Sequence, residues 1–232
     1  MSFPLEGVSL DAPILDGPRL RPKAGGQPDS LVVLLHGYGA DGRDLIDLGN
    51  AWAGLMPRTA FVSPHAPDPC EQAPVGRQWF PLTFNDPHEL PRGAAAAAPV
   101  LRAFLEEEMA KLALPPERVA LVGFSQGAMM ALKVGLSPDM RPAAVVAFSG
   151  MWVDAGAQRH TPVANPPPVI LMHGEDDEVI PAQALFGSAK ALVAAGVPVE
   201  WHLSLGLGHG IDEAEVAIAG AFLARSLSRA PV

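Results

Sequence analysis

Ser125 lies between two glycines in the stretch LVGFSQGAMM, after an apolar run and before a nearly uncharged one. A serine hydroxyl becomes a nucleophile only when a neighbouring base takes its proton and a third group orients that base. Candidates for both come later in the chain. Four successive acids, Glu175 to Glu178, close the segment PVILMHGEDDE, and His209 stands between Gly208 and Gly210. These residue types together point to acyl transfer, in which serine attacks a carbonyl and water later releases the acyl group.

The glycines around Ser125 have a steric reading. If RVALVG is a strand that runs straight into a helix starting near Gln126, the turn must reverse within about two residues. Side chains two positions before and after the serine would collide there, and Gly123 and Gly127 have none. The helix N-terminus adds unpaired N–H groups beneath the raised hydroxyl. Ala128, Met129, Met130, Ala131, Leu132 and Val134 leave that helix almost no polar side, so it is expected to be buried. The alternative is a helix-capping serine with fortuitous glycines.

For the base, His160, His173, His202 and His209 compete. His202 falls inside the strand VEWHLSL, His160 lies in a proline-rich loop, and His173 is followed at once by the acidic turn. His209, after the last strand and before the last helix, is the expected base. For the acid, Glu175, Asp176, Asp177, Glu178, Asp154 and Asp212 compete; Asp177 is preferred, with Asp176 next. The same acids invite a metal reading, but four successive acids in a tight turn cannot all face one ion, and no second ligand cluster is evident. No metal or cofactor is expected. The oxyanion formed by attack on a carbonyl needs two N–H donors. The elbow supplies that of Gln126, and the loop after LVVLLHG, His36-Gly37-Tyr38-Gly39, is expected to supply the main chain of Tyr38.

Positioning these groups requires a framework, and the chain supplies one. LVVLLHG, TAFVSP, RVALVG, AAVVAFSG, PVILMHG and VPVEWHLSL read as strands, and all but the last are nearly uniformly apolar. Helical spacings fall between them at Asp41 to Met56, with Asp41 as N-cap, and at Gly93 to Leu114, with Pro99 as an early kink or the true start. GAMMALKVG, Gln183 to Ala195 and Glu213 to Ser228 complete the helices. The alternation predicts an α/β fold with a mostly parallel sheet covered on both faces. A single domain over 1–232 is expected, with 1–29 as an N-terminal edge extension and 64–92 as a long substrate-side loop. Ligands of such sheets sit beyond the carboxyl ends of the strands, which is where the serine, acid and histidine candidates fall.

Bulk properties narrow the class further. The chain has 232 residues, 49% hydrophobic and 18% charged, enough for a substantial core. A net charge of −9 with no basic stripe argues against nucleic acid as a partner. The single cysteine, Cys70, excludes an internal disulfide and reads as an incidental thiol. MSFPLEGVSL lacks the pattern of a secretory signal, and no apolar run reaches the ~18 residues of a membrane span, so a cytoplasmic protein is expected.

HGYGADG, GFSQG, HGEDDEVIP and GLGHGID, in that order and spacing, resemble the phospholipase/carboxylesterase family of α/β-hydrolases, which includes bacterial carboxylesterases and acyl-protein thioesterases. The resemblance runs from about Leu31 to Leu227. It implies Ser125 as nucleophile, His209 as base, Asp177 as the acid closing an H-G-x-x-D turn, and Tyr38 and Gln126 as oxyanion donors. It also implies a small-molecule or lipid-like ester as substrate, a homodimer as a plausible assembly, and a W-F-D segment lining the acyl pocket. Here that segment is Trp79-Phe80-Pro81, with proline where aspartate is common, and the two aromatic residues are equally readable as core staples. Rival readings are a thioesterase of the same family, a peptidase of the same fold, and a non-catalytic binding domain, which would lack a triad member.

Overall fold

The computed structural model describes residues 15–229 apart from 71, 84, 87 and 157–164. The expected strands form. In chain order the elements are β1 (Arg19–Leu20), β2 (Ser30–Leu35), α1 (Ile46–Trp52), β3 (Thr59–Val62), β4 (Asp68–Pro69), β5 (Arg77–Gln78), α2 (Glu89–Leu112), β6 (Val119–Phe124), α3 (Gln126–Gly135), β7 (Ala144–Phe148), β8 (Val169–Gly174), α4 (Gln183–Ala194), β9 (Val199–Ser204) and α5 (Glu213–Arg229). One seven-stranded sheet has the order β1-β3-β2-β6-β7-β8-β9, and β4 pairs with β5 in a small separate ribbon. All neighbours in the large sheet are parallel except β1, which runs antiparallel to β3 with Arg19 opposite Val62. The antiparallel edge expected from RLRP is therefore present, while residues 1–14 of the proposed extension lie outside the described residues.

Strand sequences explain the layering. Successive side chains point to opposite faces, so Leu31, Val33 and Leu35 join a core shared with Leu101 and Leu105 of α2, Met130 of α3 and Leu192 of α4. Val32 and Leu34 join the other core, with Trp52 of α1 and Phe222 and Leu223 of α5. With both faces covered, β2 and β8 are buried at every position, which is why they read as continuous apolar runs rather than alternating ones. Among the described residues no helix is long and apolar enough to cross a membrane.

Two helix starts differ from expectation. Asp41 does not cap α1, whose N-cap is Leu45; its Oδ1 instead accepts the N–H of Arg43 at 2.7 Å, closing a local turn ahead of the helix. Helix α2 begins at Glu89, so Pro99 sits inside it and neither starts it nor stands early in it. The 64–92 segment is correspondingly less irregular than expected, holding β4, β5 and the first turn of α2.

Candidate active site

Ser125 occupies the single position between β6 and α3, with φ 53° and ψ −116°, a conformation unfavourable for any residue with a Cβ. Its N–H is fixed to the Phe148 carbonyl at 2.9 Å, and its carbonyl accepts from Ala128 and Met129. The flanking glycines are required by contact. A Cβ on Gly123 would stand 2.2 Å from the Gly127 oxygen, and one on Gly127 would stand 1.9 Å from the Leu35 oxygen. Gly37 brings the next loop close as well, less tightly: a Cβ there would stand 3.1 Å from the Phe124 ring and 3.4 Å from the Ser125 Cβ. Tyr38 follows in this loop and lines the same cavity as Ser125 and Gln126.

Of the acidic turn, only Asp177 is buried; Glu175, Asp176 and Glu178 are exposed. Asp177 Oδ1 accepts the N–H groups of Val179 and Ile180 at 2.9 and 2.8 Å, and Oδ2 lies 2.7 Å from Nδ1 of His209. Burial pushes its pKa up, but the His209 bond and the two backbone donors outweigh this and hold it below the usual carboxylate value. An ionised Asp177 accepts only, so Nδ1 of His209 is the donor in their bond; in the neutral imidazole that leaves Nε2 as the acceptor. The other acids are occupied elsewhere. Asp154 pairs with Lys133 at 3.0 Å, and Asp212 accepts the N–H of Glu215 in the first turn of α5.

Backbone contacts fasten the histidine loop to the acid turn. Asp176 donates to the Leu207 carbonyl and Glu175 to that of Ser204, both at 2.9 Å. Ser149, fully buried at φ 45°, donates its hydroxyl to the Gly210 carbonyl at 3.2 Å. The Phe124 ring lies 4.8 Å from the His209 imidazole. Ser125 and His209 share a cavity wall without a hydrogen bond between them among the described residues; such pairs commonly tighten when substrate arrives. His173 bonds to the turn, as its position at the end of β8 implied: Nε2 faces the Ile180 carbonyl at 2.7 Å and Asp177 Oδ2 at 3.2 Å. Two acceptors around Nε2 place its proton there. His202 is half-buried in β9, and His160 lies outside the described residues.

The cavity measures about 820 Å³. Its apolar wall comes from Leu82, Leu90, Met129, Met151, Val179, Ile180, Pro181 and Ala184, and Asn85, Asp86 and Glu89 add polar groups to the lining. Trp79 and Phe80 do not line it. Each is 2% exposed and belongs to the core on the α2–α3 face of the sheet, which corrects the expectation that they form the acyl pocket. The Gln126 side chain holds them there: Oε1 accepts the Trp79 N–H at 2.9 Å and Nε2 donates to the Phe80 carbonyl at 2.8 Å. The apolar residues that do line the pocket come from four separate segments, 82–90, 129, 151 and 179–184, so no single stretch of sequence signalled that wall.

The phospholipase/carboxylesterase family model matches residues 22–227. The chain belongs to that family. As a member it has the α/β-hydrolase fold and is a carboxylic ester hydrolase. The solved structure of esterase PE8 is 43% identical, covers 92% of this chain and all of its own, and superposes with a TM-score of 0.85. Esterase YpfH of Escherichia coli is 28% identical over 82% of this chain and 79% of its own. Acyl-protein thioesterase 1 of Gibberella zeae is 27% identical over 88% of this chain and 93% of its own.

Proposed function

We propose that the protein hydrolyses carboxylic esters with an apolar acyl or alcohol part through a Ser125-His209-Asp177 triad. The observation that carries this reading is the 2.7 Å bond from His209 to a buried Asp177, on the cavity that also presents Ser125 from a strained elbow. Ser125 Oγ attacks the carbonyl carbon while its proton passes to His209 Nε2, and Asp177 holds the imidazolium so formed. The carbonyl electrons move to the oxygen, which the N–H groups of Gln126 and Tyr38 receive. Collapse of this intermediate expels the alcohol, which takes the proton from His209 and leaves an ester on Ser125. Water then attacks that ester, giving a proton to His209, and the acid departs as the proton returns to Ser125.

Kinetics on p-nitrophenyl esters of increasing acyl length, with Ser125→Ala alongside, test the proposal. The variant is expected to lose at least about a thousandfold in kcat while keeping its Tm. Activity within tenfold of the parent would remove the triad assignment. A thioester of the same acyl group suits the same chemistry, and the Gibberella zeae relative is named a thioesterase; the ratio of kcat/KM on a matched oxygen and sulfur ester pair distinguishes the two uses.

A further inference from the structure

The RQWFPL segment has no part in the mechanism above, and its aromatic residues do not reach the substrate cavity. Three of their polar atoms are nevertheless engaged by residues of the reaction site. The Trp79 indole Nε1–H donates to the His36 carbonyl at 2.9 Å, and the Trp79 backbone N–H donates to Gln126 Oε1 at 2.9 Å. Gln126 Nε2 closes the pair on the Phe80 carbonyl at 2.8 Å. Trp79 thus bridges the two segments whose N–H groups are assigned to the oxyanion, Gln126 at the start of α3 and the loop that continues from His36 to Tyr38.

His36 is itself fixed. Its Nε2 accepts the Ala66 N–H at 2.9 Å, its Nδ1 lies 2.8 Å from the Gly37 carbonyl, and its ring stacks obliquely on Trp79 with centroids 5.7 Å apart. It is fully buried, and so are Gln126 and Trp79 within 2%. Each hydrogen bond therefore lies away from competing water, where geometry is held tightly. The peptide unit whose carbonyl Trp79 grips is the one between His36 and Gly37, one peptide before the Tyr38 N–H. A shift there moves that donor directly, and an oxyanion donor must lie within about 0.5 Å of its productive place.

We infer that Trp79 is a positioning residue of the oxyanion site, setting the distance between the Tyr38 and Gln126 N–H groups through its bonds to His36 and Gln126. This rests on the triad reading given above. The W-F pair acts on the transition state through the backbone, and the acyl chain is held instead by the walls built from Leu82, Leu90, Met129 and Ile180.

Trp79→Phe tests the inference because it keeps an aromatic ring in the core and removes the indole N–H. Two inhibitors are compared: an alkyl trifluoromethyl ketone, whose adduct with Ser125 is a tetrahedral alkoxide, and the corresponding carbinol, which forms no adduct. The variant is expected to bind the ketone about tenfold more weakly and to lose about tenfold in kcat on p-nitrophenyl butyrate, less than the loss of a whole donor. KM and carbinol binding are expected to stay within about twofold. Gln126→Met, which keeps the side-chain length and removes both amide bonds, is expected to give the same pattern. Equal weakening of both inhibitors, or of neither, overturns the inference, as does failure of both variants to fold. Ser125→Ala in parallel separates the two levels. If it retains wild-type turnover the triad reading itself falls, whereas its inactivity beside an unaltered Trp79→Phe removes the positioning role alone.

Discussion

Gly127 in the first turn of α3 lies so close to Leu35 at the end of β2 that a methyl group there would stand 1.9 Å from the Leu35 carbonyl oxygen. Both neighbours are backbone held in regular structure, so neither yields cheaply. The contact seats α3 on the strand that leads into the Tyr38 loop. Gly127→Ala is therefore expected to destabilise the protein by about 3 kcal/mol or more, at the upper end of overpacking costs. For a chain of this size that lowers Tm by roughly 6–12 °C. Thermal unfolding followed by circular dichroism measures it, and a Tm within 2 °C of the parent would show that the elbow has slack.

Asp177→Asn is expected to reduce kcat by about a thousandfold or more. The amide oxygen must stay on the Val179 and Ile180 N–H groups, which leaves its NH₂ facing Nδ1 of His209 and Nε2 of His173. His209 then has to accept at Nδ1 and carry its proton on Nε2, the tautomer that cannot take a proton from serine. The His173 N–H meets a donor at the same time, so a modest fall in Tm accompanies the loss. Steady-state kinetics together with calorimetry check both.

Ser149→Gly separates stability from activity. Glycine adopts the φ of 45° without strain, which offsets the lost hydroxyl bond to Gly210, so stability is expected to change by less than about 1 kcal/mol. The loop carrying His209 loses one of its restraints, and kcat is expected to fall about fivefold with KM unchanged. Unchanged kcat in this variant would show that the contacts from Glu175 and Asp176 suffice to hold the loop.

Glu215 and His36 make opposite contributions to the pH dependence of stability. Burial and the nearby Asp212 charge raise the Glu215 carboxyl to about 7, outweighing the opposing pull of the Asp212 N–H and the Ser204 hydroxyl. Its contribution is full below the ordinary carboxylate pKa and is lost as pH rises through about 7. Burial lowers His36 to about 4, despite its bond to Gly37, so its contribution is present above the ordinary imidazole pKa and is lost as pH falls toward 4. Glu215→Gln removes the first slope. Its Tm is expected to rise with pH up to about 6.5 and then level off, and to exceed that of the parent at about pH 8. A Tm series across that range reads the difference directly.

Much of the fold was legible because its signals are local. β2, β6, β7 and β8 are buried on both faces and so appear as unbroken apolar runs, and Ser125, Asp177 and His209 each follow a strand in a short turn. Asp41 misled because an aspartate before a helical pattern looks the same whether it caps that helix or a separate turn ahead of it. Pro99 misled because a proline suggests a boundary, whereas α2 runs through it, packed by Ala97, Leu101 and Phe104 on one side.

The order of apolar segments, the glycines at 123 and 127 and the burial of α3 follow from the sequence, since hydrophobic period and steric clearance are properties of neighbouring residues. Which acid joins His209 depends on which oxygen is buried and supplied with N–H donors, and that arises only when β8 and the β9–α5 loop lie side by side. The role of the aromatic pair is equally non-local. Trp79 and Phe80 turn inward because the Gln126 amide, 47 residues further on, offers a donor and an acceptor to their backbone and draws them away from the cavity.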